Sequence, residues 1–235
     1  MNDRSQSLVM SKAYFDCQCR CVEEGRKGDR KLPFVTISRQ TGAGGITIGN
    51  NLVELLNRED AKRTCPWTLF DKNLVEEVVE EHQFAKEVSK YMPEDKISEL
   101  RDLVEEMFGL HPSEWTLVHR TSQTILHLAE MGNVILVGRG ANIITHRLEH
   151  SFHVRLVGSL EKRIAHAADY YHLSREEAKK LVEREDKGRR DYIKKHFDKN
   201  IDDPLLYHLV INTDHVSYED AAQMICNQVL HVYKT

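Results

Sequence analysis

Apolar residues along this chain fall into short continuous runs, separated by longer stretches that carry one apolar face. The run Pro33-Phe34-Val35-Thr36-Ile37-Ser38 is rich in β-formers. After a glycine-rich segment, Ile46, Ile48, Leu52, Val53, Leu55 and Leu56 repeat at helical spacing. Strand, glycine turn and helix in that order predict the first unit of an α/β fold. A second short strand ends at Leu69-Phe70-Asp71, with Asp71 placed to cap a helix over 72–87. Two charged helical stretches follow, about 93–109 and 113–131, separated by Gly109-Leu110-His111-Pro112. In Asn133-Val134-Ile135-Leu136-Val137-Gly138 the apolar run is continuous rather than alternating, which suits a parallel strand covered on both faces. A further strand is expected over 152–157, with Ser159 as the cap of the helix after it. Ser174 and Glu177 match a capping box that opens a long charged helix to about Phe197. The last unit is a strand over 207–212, then a terminal helix begun by Ser217 and Asp220. Five strands separated by helices predict a parallel sheet, because parallel neighbours need crossover connections.

Ahead of this unit, Leu8, Val9, Ala13, Tyr14, Cys17 and Cys21 recur at helical spacing and give way to a polar stretch, Gly25 to Lys31. The expected organisation is an accessory helix and linker over 1–31 and one domain over 32–235. The chain has 235 residues, 40% hydrophobic and 30% charged, a composition of folded rather than disordered chains. A net charge of −4 gives no overall attraction to a nucleic acid polymer or an anionic membrane. The apolar runs are far shorter than the ~20 residues of a membrane span, and the N-terminus lacks the apolar segment of a secretory signal. The expectation is a cytoplasmic protein. Cys17, Cys19 and Cys21 are closely spaced, yet no CxxC pair is present and a tetrahedral site needs a distant fourth ligand. They read as reduced thiols on the N-terminal helix. His146, His150 and His153 straddle a turn and lack a helical frame with a carboxylate partner, so no metal ligands are assigned there.

The candidate chemistry begins at Gln40-Thr41-Gly42-Ala43-Gly44-Gly45-Ile46-Thr47. A glycine-rich turn between a buried strand and a helix directs several backbone N–H groups into one concavity at the positive end of the helix, which makes an anion site. Three glycines within four residues also suit a plain tight turn. Against the phosphate-loop pattern G-x-x-x-x-G-K-[ST], Arg39 replaces the first glycine, Gly45 the lysine and Ile46 the hydroxyl residue. Arg39 is then the candidate cation for the terminal phosphates, and Thr47 or Thr41 the candidate hydroxyl for Mg²⁺. Arg139 directly follows a buried strand, between Gly138 and Gly140, where open α/β sheets form their ligand crevice. Its guanidinium suits a phosphate, and pairing with a surface carboxylate is the alternative. The helix from Ser174 carries Arg184, Asp186, Lys187, Arg189, Arg190, Lys194 and Lys195, either a solvated face of i,i+4 pairs or a set of cations that close over a transferring group.

Thr36-Ile37-Ser38-Arg39-Gln40 through Gly49, Phe70-Asp71-Lys72, Val137-Gly138-Arg139-Gly140-Ala141 and Tyr207-His208-Leu209-Val210-Ile211-Asn212-Thr213 together resemble the cytidylate kinase-like family, in the expected order over about residues 33–232. That family shares the lysine-less loop. The resemblance implies an α/β, three-layer P-loop kinase fold with a central parallel five-stranded sheet, a helical acceptor-binding insertion at about 88–131 and a helical lid at about 174–200. It implies ATP-dependent phosphoryl transfer to a nucleoside monophosphate, CMP or dCMP by default, with Mg²⁺ arriving on the nucleotide. By the same resemblance Arg139 holds the acceptor phosphate, and Asp71 orients the acceptor, takes its proton or sits near Mg²⁺. Arg189 and Arg190, with Arg184, are the lid arginines, and Asn212 and Thr213 lie near the donor base. Gly140 stands where the pattern has an acidic residue that reads the base. Two other readings stay open: a nucleotide-sensing module without useful turnover, and a kinase for a small non-nucleotide acceptor.

Overall fold

The structure, a computed structural model, describes residues 11–18, 20–21, 32–60, 65–75, 94–108 and 116–233. Five strands form one wholly parallel sheet in the order β2-β3-β1-β4-β5. They are β1 (Phe34–Arg39), β2 (Thr68–Phe70), β3 (Val134–Val137), β4 (Ser151–Val157) and β5 (Leu209–Asn212). The helices are α1 (residues 11–18, continuing at 20–21), α2 (Gly45–Glu59), α3 (Glu94–Phe108), α4 (Thr116–Met131), α5 (Ala141–Ile144), α6 (Leu160–Tyr171), α7 (Arg175–Phe197) and α8 (Tyr218–Val232). The helix expected over 72–87 is described only for its first turn, 72–75, and the expected break at 109–112 lies outside the described residues. From β1 the chain moves outward to β2, returns to β3, then crosses to β4 and β5 on the other side. That reversal opens a crevice at the C-terminal ends of β1 and β3.

Successive side chains of a strand point to opposite faces, and here both faces are covered. Val35, Ile37, Ile135, Val137, Val154 and Leu156 pack with Ile48, Leu52 and Leu56 of α2 and Ile225 and Val229 of α8. Phe34, Phe70, Val134 and Leu136 pack on the other side with Leu100, Val104, Ile125 and Leu128 of α3 and α4. The uninterrupted apolar run of β3 is thus two alternating sets serving two layers. Among the described residues no helix is long and apolar enough to cross a membrane.

The capping signals set the helix starts. Ser174 Oγ accepts from the Glu177 N–H and the Glu177 carboxylate accepts from Ser174 N–H, a complete capping box. Ser217 caps α8 through the Asp220 N–H at 3.0 Å, and Asp71 Oδ1 accepts from Leu74 N–H at 2.9 Å. Ser159 holds the cap position of α6 but its side chain makes no capping bond. Its N–H instead donates to Asp214 Oδ2 at 3.0 Å, tying this turn to the end of β5.

The N-terminal helix packs on the sheet layers, and one expectation needs correction. Tyr14 is wholly buried in the α3–α4 layer, edge-on to Phe70, and donates to Gly132 O at 2.6 Å. The thiols are not simply reduced side chains on one helix, because Cys17 is disulfide-bonded to Cys65 across 48 residues of sequence. Nothing local in the sequence gives this pairing, since docking of α1 beside the start of β2 creates it. Cys19 lies outside the described residues.

The three clustered histidines separate. His146 Nδ1 meets Ile143 O at 2.7 Å, and His150 lies edge-on to Phe34. His153 is buried between Thr36 Oγ1, 2.8 Å from its Nδ1, and the stacked ring of His208. Burial, then the neighbouring His208 and His146, push His153 down to about 3. An unfolded histidine titrates near ~6.5. The unfolded chain therefore binds an extra proton between these values, and stability present above about pH 6.5 is lost as pH falls toward about 3. Urea unfolding at pH 7 and pH 4.5 should show this loss in the wild type and a smaller one in His153→Gln.

Candidate functional site

At the end of β1 the chain turns sharply into α2. Gln40 N–H donates to Leu156 O at 3.0 Å, and Gln40 Oε1 accepts from Gly158 N–H at 3.0 Å, which fastens the loop to the end of β4. Gly42 has φ 81°, and a Cβ there would stand 2.2 Å from the Arg163 carbonyl oxygen, so only glycine lets the loop lie against α6. Gly44 caps α2 without a side chain, and the first turn of α2 carries no acid. The first-turn N–H groups have no intrahelical partner. The positive end of the helix thus faces a narrow cavity lined by Gln40, Thr41, Gly45, Ile46 and Thr47, a ready anion cradle.

Arg39 explains two of the departures from the lysine-bearing pattern. A Cβ on Gly45 would sit 2.8 Å from Arg39 Cγ, and one on Gly138 would sit 2.0 Å from its Nη1. The Arg39 side chain therefore crosses the space a lysine at 45 would need, and ends beneath the turn after β3. Burial, then the like charge of Arg189, lower Arg39 to about 10, while Asp71 opposes the shift. It is a buried guanidinium, charged at neutral pH and short of counter-charge, which favours an incoming anion.

A second feature was missed in the sequence. Asp186 of α7 accepts from Thr41 N–H at 2.7 Å, from Thr41 Oγ1 at 2.8 Å and from Arg163 Nη1 at 2.6 Å. Arg189 donates to Asp186 Oδ1 at 3.2 Å and also to Thr41 Oγ1. Arg163 adds bonds to Thr41 O at 3.0 Å and Gly158 O at 2.9 Å. One buried carboxylate thus joins the loop, α6 and α7. Its sequence signal was present, an acid amid a run of bases, but it reads equally as a surface i,i+4 partner.

Beyond Arg39 lies a larger cavity of about 380 Å³ at the ends of β1 and β3. Its cations are Arg39, Lys72, Arg139, Arg184 and Arg189, with Glu185 the acid among its lining residues. Arg139 sits at φ 54° between Gly138 and Gly140, both also at positive φ, and its guanidinium lies 6.0 Å from the Tyr192 ring centre. Burial lowers the Arg139 pKa, with Tyr192 opposing. A Cβ on Gly140 would stand 2.9 Å from Phe197 and 3.2 Å from Ile193. The space for an acidic side chain at 140 is therefore filled by α7. Arg39 and Arg189 line both cavities, so the two adjoin at this pair of guanidiniums.

Of the residues picked from sequence, Gln40, Thr41, Gly42, Gly44, Gly45, Ile46 and Thr47 line the loop cavity, while Ala43 is buried behind it. Arg139 and Arg184 line the larger one. Asp71 lines neither, but its field reaches Arg39 and it caps the turn that carries Lys72. Arg190 is exposed and lines neither cavity, being one residue around the helix from Arg189. Asn212 and Thr213 also lie apart from both, with Thr213 bonded to Val157 O and Asn212 Oδ1 to Asp214 N–H. Tyr192, Lys72 and Arg163 join Asp186 as residues that sequence reading did not assign.

A family model described as the cytidylate kinase-like family matches residues 34–215. No curated protein sequence matches the chain. Among solved structures, an uncharacterized protein from Eubacterium ventriosum aligns at 19% identity and a TM-score of 0.64, over 85% of this chain and 98% of that one. Shikimate kinase from Bacteroides thetaiotaomicron aligns at 13% identity and a TM-score of 0.45, over 86% and 99%. Shikimate kinase from Acinetobacter baumannii, in complex with shikimate, aligns at 19% identity and a TM-score of 0.41, over 87% and 96%.

Removing the central carboxylate leaves Arg163 buried without its ion-pair partner. Asp186→Ala should cost roughly 3–5 kcal/mol, the usual penalty for breaking a buried pair. Denaturant unfolding measures this, and a loss under ~1 kcal/mol would mean that the network is not a structural centre.

Proposed function

The chain belongs to the cytidylate kinase-like family, and from that premise we propose that it transfers the terminal phosphoryl group of ATP to a nucleoside monophosphate, CMP or dCMP first. The observation that carries this reading is the pair Arg39 and Arg189 at the junction of two cavities. Phosphoryl transfer asks little covalent chemistry of a protein and depends on positioning and on fixed positive charge where the group passes. A donor on the loop side and an acceptor on the strand-end side would meet between these guanidiniums.

In this reading the loop amides and the N-terminus of α2 hold the donor phosphates, and Arg39 supplies the charge usually given by lysine. Thr47 is the hydroxyl that fits Mg²⁺, because the Thr41 hydroxyl is engaged by Asp186 and Arg189. Mg²⁺, when bound, neutralises charge across the donor phosphates. Arg139 binds the acceptor phosphate, with Tyr192, Ile193 and Ile201 against the rest of the acceptor. Asp71 steadies the charge on Arg39, and α7 acts as the lid with Arg184 and Arg189 as its working cations. The helices α3 and α4 form the acceptor-side insertion. The partners are nucleotides rather than nucleic acid or membrane, and the cytoplasm is the place where such a kinase meets them.

One observation favours a second reading, a small anionic acceptor that is not a nucleotide. The position where an acid would read a base is occupied by Phe197 and Ile193, which leaves a cationic cavity with an apolar wall.

Purified protein with ATP, Mg²⁺ and a panel of monophosphates, sugar phosphates and hydroxy acids separates these readings by ADP formation. The first expects acceptor-dependent ADP from a monophosphate, and none from any of them removes it. ADP from a non-nucleotide acid alone supports the second. Thermal stabilisation by ATP without turnover would support a sensor. Arg39→Ala should weaken ATP binding by roughly 10- to 100-fold, as expected for a lost charge-assisted hydrogen bond. Gly45→Lys, which restores the familiar lysine, should also weaken binding, because its side chain displaces Arg39. Tighter binding by titration calorimetry would show that Arg39 does not fill that role.

A further inference from the structure

Three sulfurs converge at a place the proposed reaction does not use. Cys17 and Cys21 stand one helical turn apart on α1, and Cys65 reaches them from the segment leading into β2. All three Sγ atoms lie within 4.8 Å of one another, and Cys21 Sγ is 3.6 Å from Cys65 Sγ. We propose that in the reduced protein Cys17, Cys21 and Cys65 form a thiolate site for a thiophilic divalent cation, zinc first.

The triangle is the first argument. Thiolates at ~2.3 Å from a tetrahedral zinc stand about 3.8 Å apart; Cys21 and Cys65 already stand at 3.6 Å, while Cys17 and Cys65, bonded here, must separate to that spacing once reduced. Attack of the Cys21 thiol on the disulfide needs the three sulfurs in line. With an ordinary S–S bond of ~2.05 Å, that would set the outer pair about 5.6 Å apart, beyond the 4.8 Å within which all three sulfurs lie. The three sulfurs are thus bent away from the in-line geometry of internal exchange, and reduction leaves three thiols gathered at one place.

The scaffold is the second argument, because it places the sulfurs without any sulfur bond. Tyr14 Oη donates to Gly132 O at 2.6 Å and Gln18 Nε2 to Met131 O at 3.2 Å, which docks α1 on the turn after α4. From the same turn, Asn133 Nδ2 donates to Cys65 O at 2.9 Å and fixes the third ligand. Cys17 and Cys65 form a disulfide here, so the cation and the disulfide are alternative states of one site. A dithiol or phosphine supplies two electrons, and two protons complete two thiols. The cation then replaces three thiol protons, which are released, and water completes the fourth position. Both states clamp α1 to the strand that leads to Asp71.

The test is cobalt and zinc binding to the full chain, reduced with a phosphine and freed of metal. The expected result is one cobalt per chain with a thiolate-to-cobalt charge-transfer band that zinc abolishes by competition. Cys21→Ser should weaken zinc binding by more than roughly 100-fold, the upper range for losing only a hydrogen bond that supports a ligand. Cys226→Ser, at the buried thiol of α8, should change neither band nor stoichiometry. Cys21→Ser keeps the disulfide pair and is compared with the reduced wild type by metal-free melting, so a folding failure of Cys17→Ser or Cys65→Ser does not affect the test. Cobalt bound without the band, no metal bound, or a Cys21→Ser protein with unchanged band and affinity would each overturn the site.

Discussion

The Asp186 carboxylate is the interaction on which the site depends. Within a protein an ionised carboxylate is tolerated only where donors replace its water. Here the Thr41 amide and hydroxyl, Arg163 and Arg189 do so. The consequence is geometric. The loop after β1 is held from the side by α6, and α7 is drawn across its mouth with Arg189 aimed at the junction of both cavities. The position of α7 and the order of the loop are thus linked through a single group.

The loop has glycine at position 45, and Arg39 crosses the space a lysine there would need. Arg39 starts one strand end earlier than a loop lysine would, so its longer side chain must run past position 45 and under position 138. Glycine at both positions is the steric counterpart of that path. Moving the cation also moves its environment. A buried arginine near Arg189 and Arg139 holds its proton less tightly than in water, yet keeps it throughout the neutral range. The same economy of space governs Gly140, where Phe197 and Ile193 of α7 fill the room a side chain would need.

The N-terminal helix packs against the layer of α3 and α4. Tyr14 fills a place in the layer beneath β2 and β3, so the strand that leads to Asp71 rests partly on a helix from far away in sequence. The sulfur cluster then adds a covalent or metal clamp at a point where hydrogen bonds already set the geometry.

Much of this architecture was legible beforehand. Continuous apolar runs named the parallel strands, and Ser174, Ser217 and Asp71 named helix starts, because these signals act over a few residues. The glycine loop and Arg139 were legible for the same reason, each being a local pattern at a strand end. Long-range outcomes were not. Asp186 resembles any acid on a charged helix until α7 is laid across the loop, and only then does Arg189 separate from Arg190. Cys17 and Cys65 are 48 residues apart, and the docking of α1 alone brings them together. The sequence by itself determined the strands, the helices and the glycine turn between β1 and α2, since periodicity and capping are local. Tertiary structure decided which charges meet, because burial and distance, not order along the chain, control electrostatics.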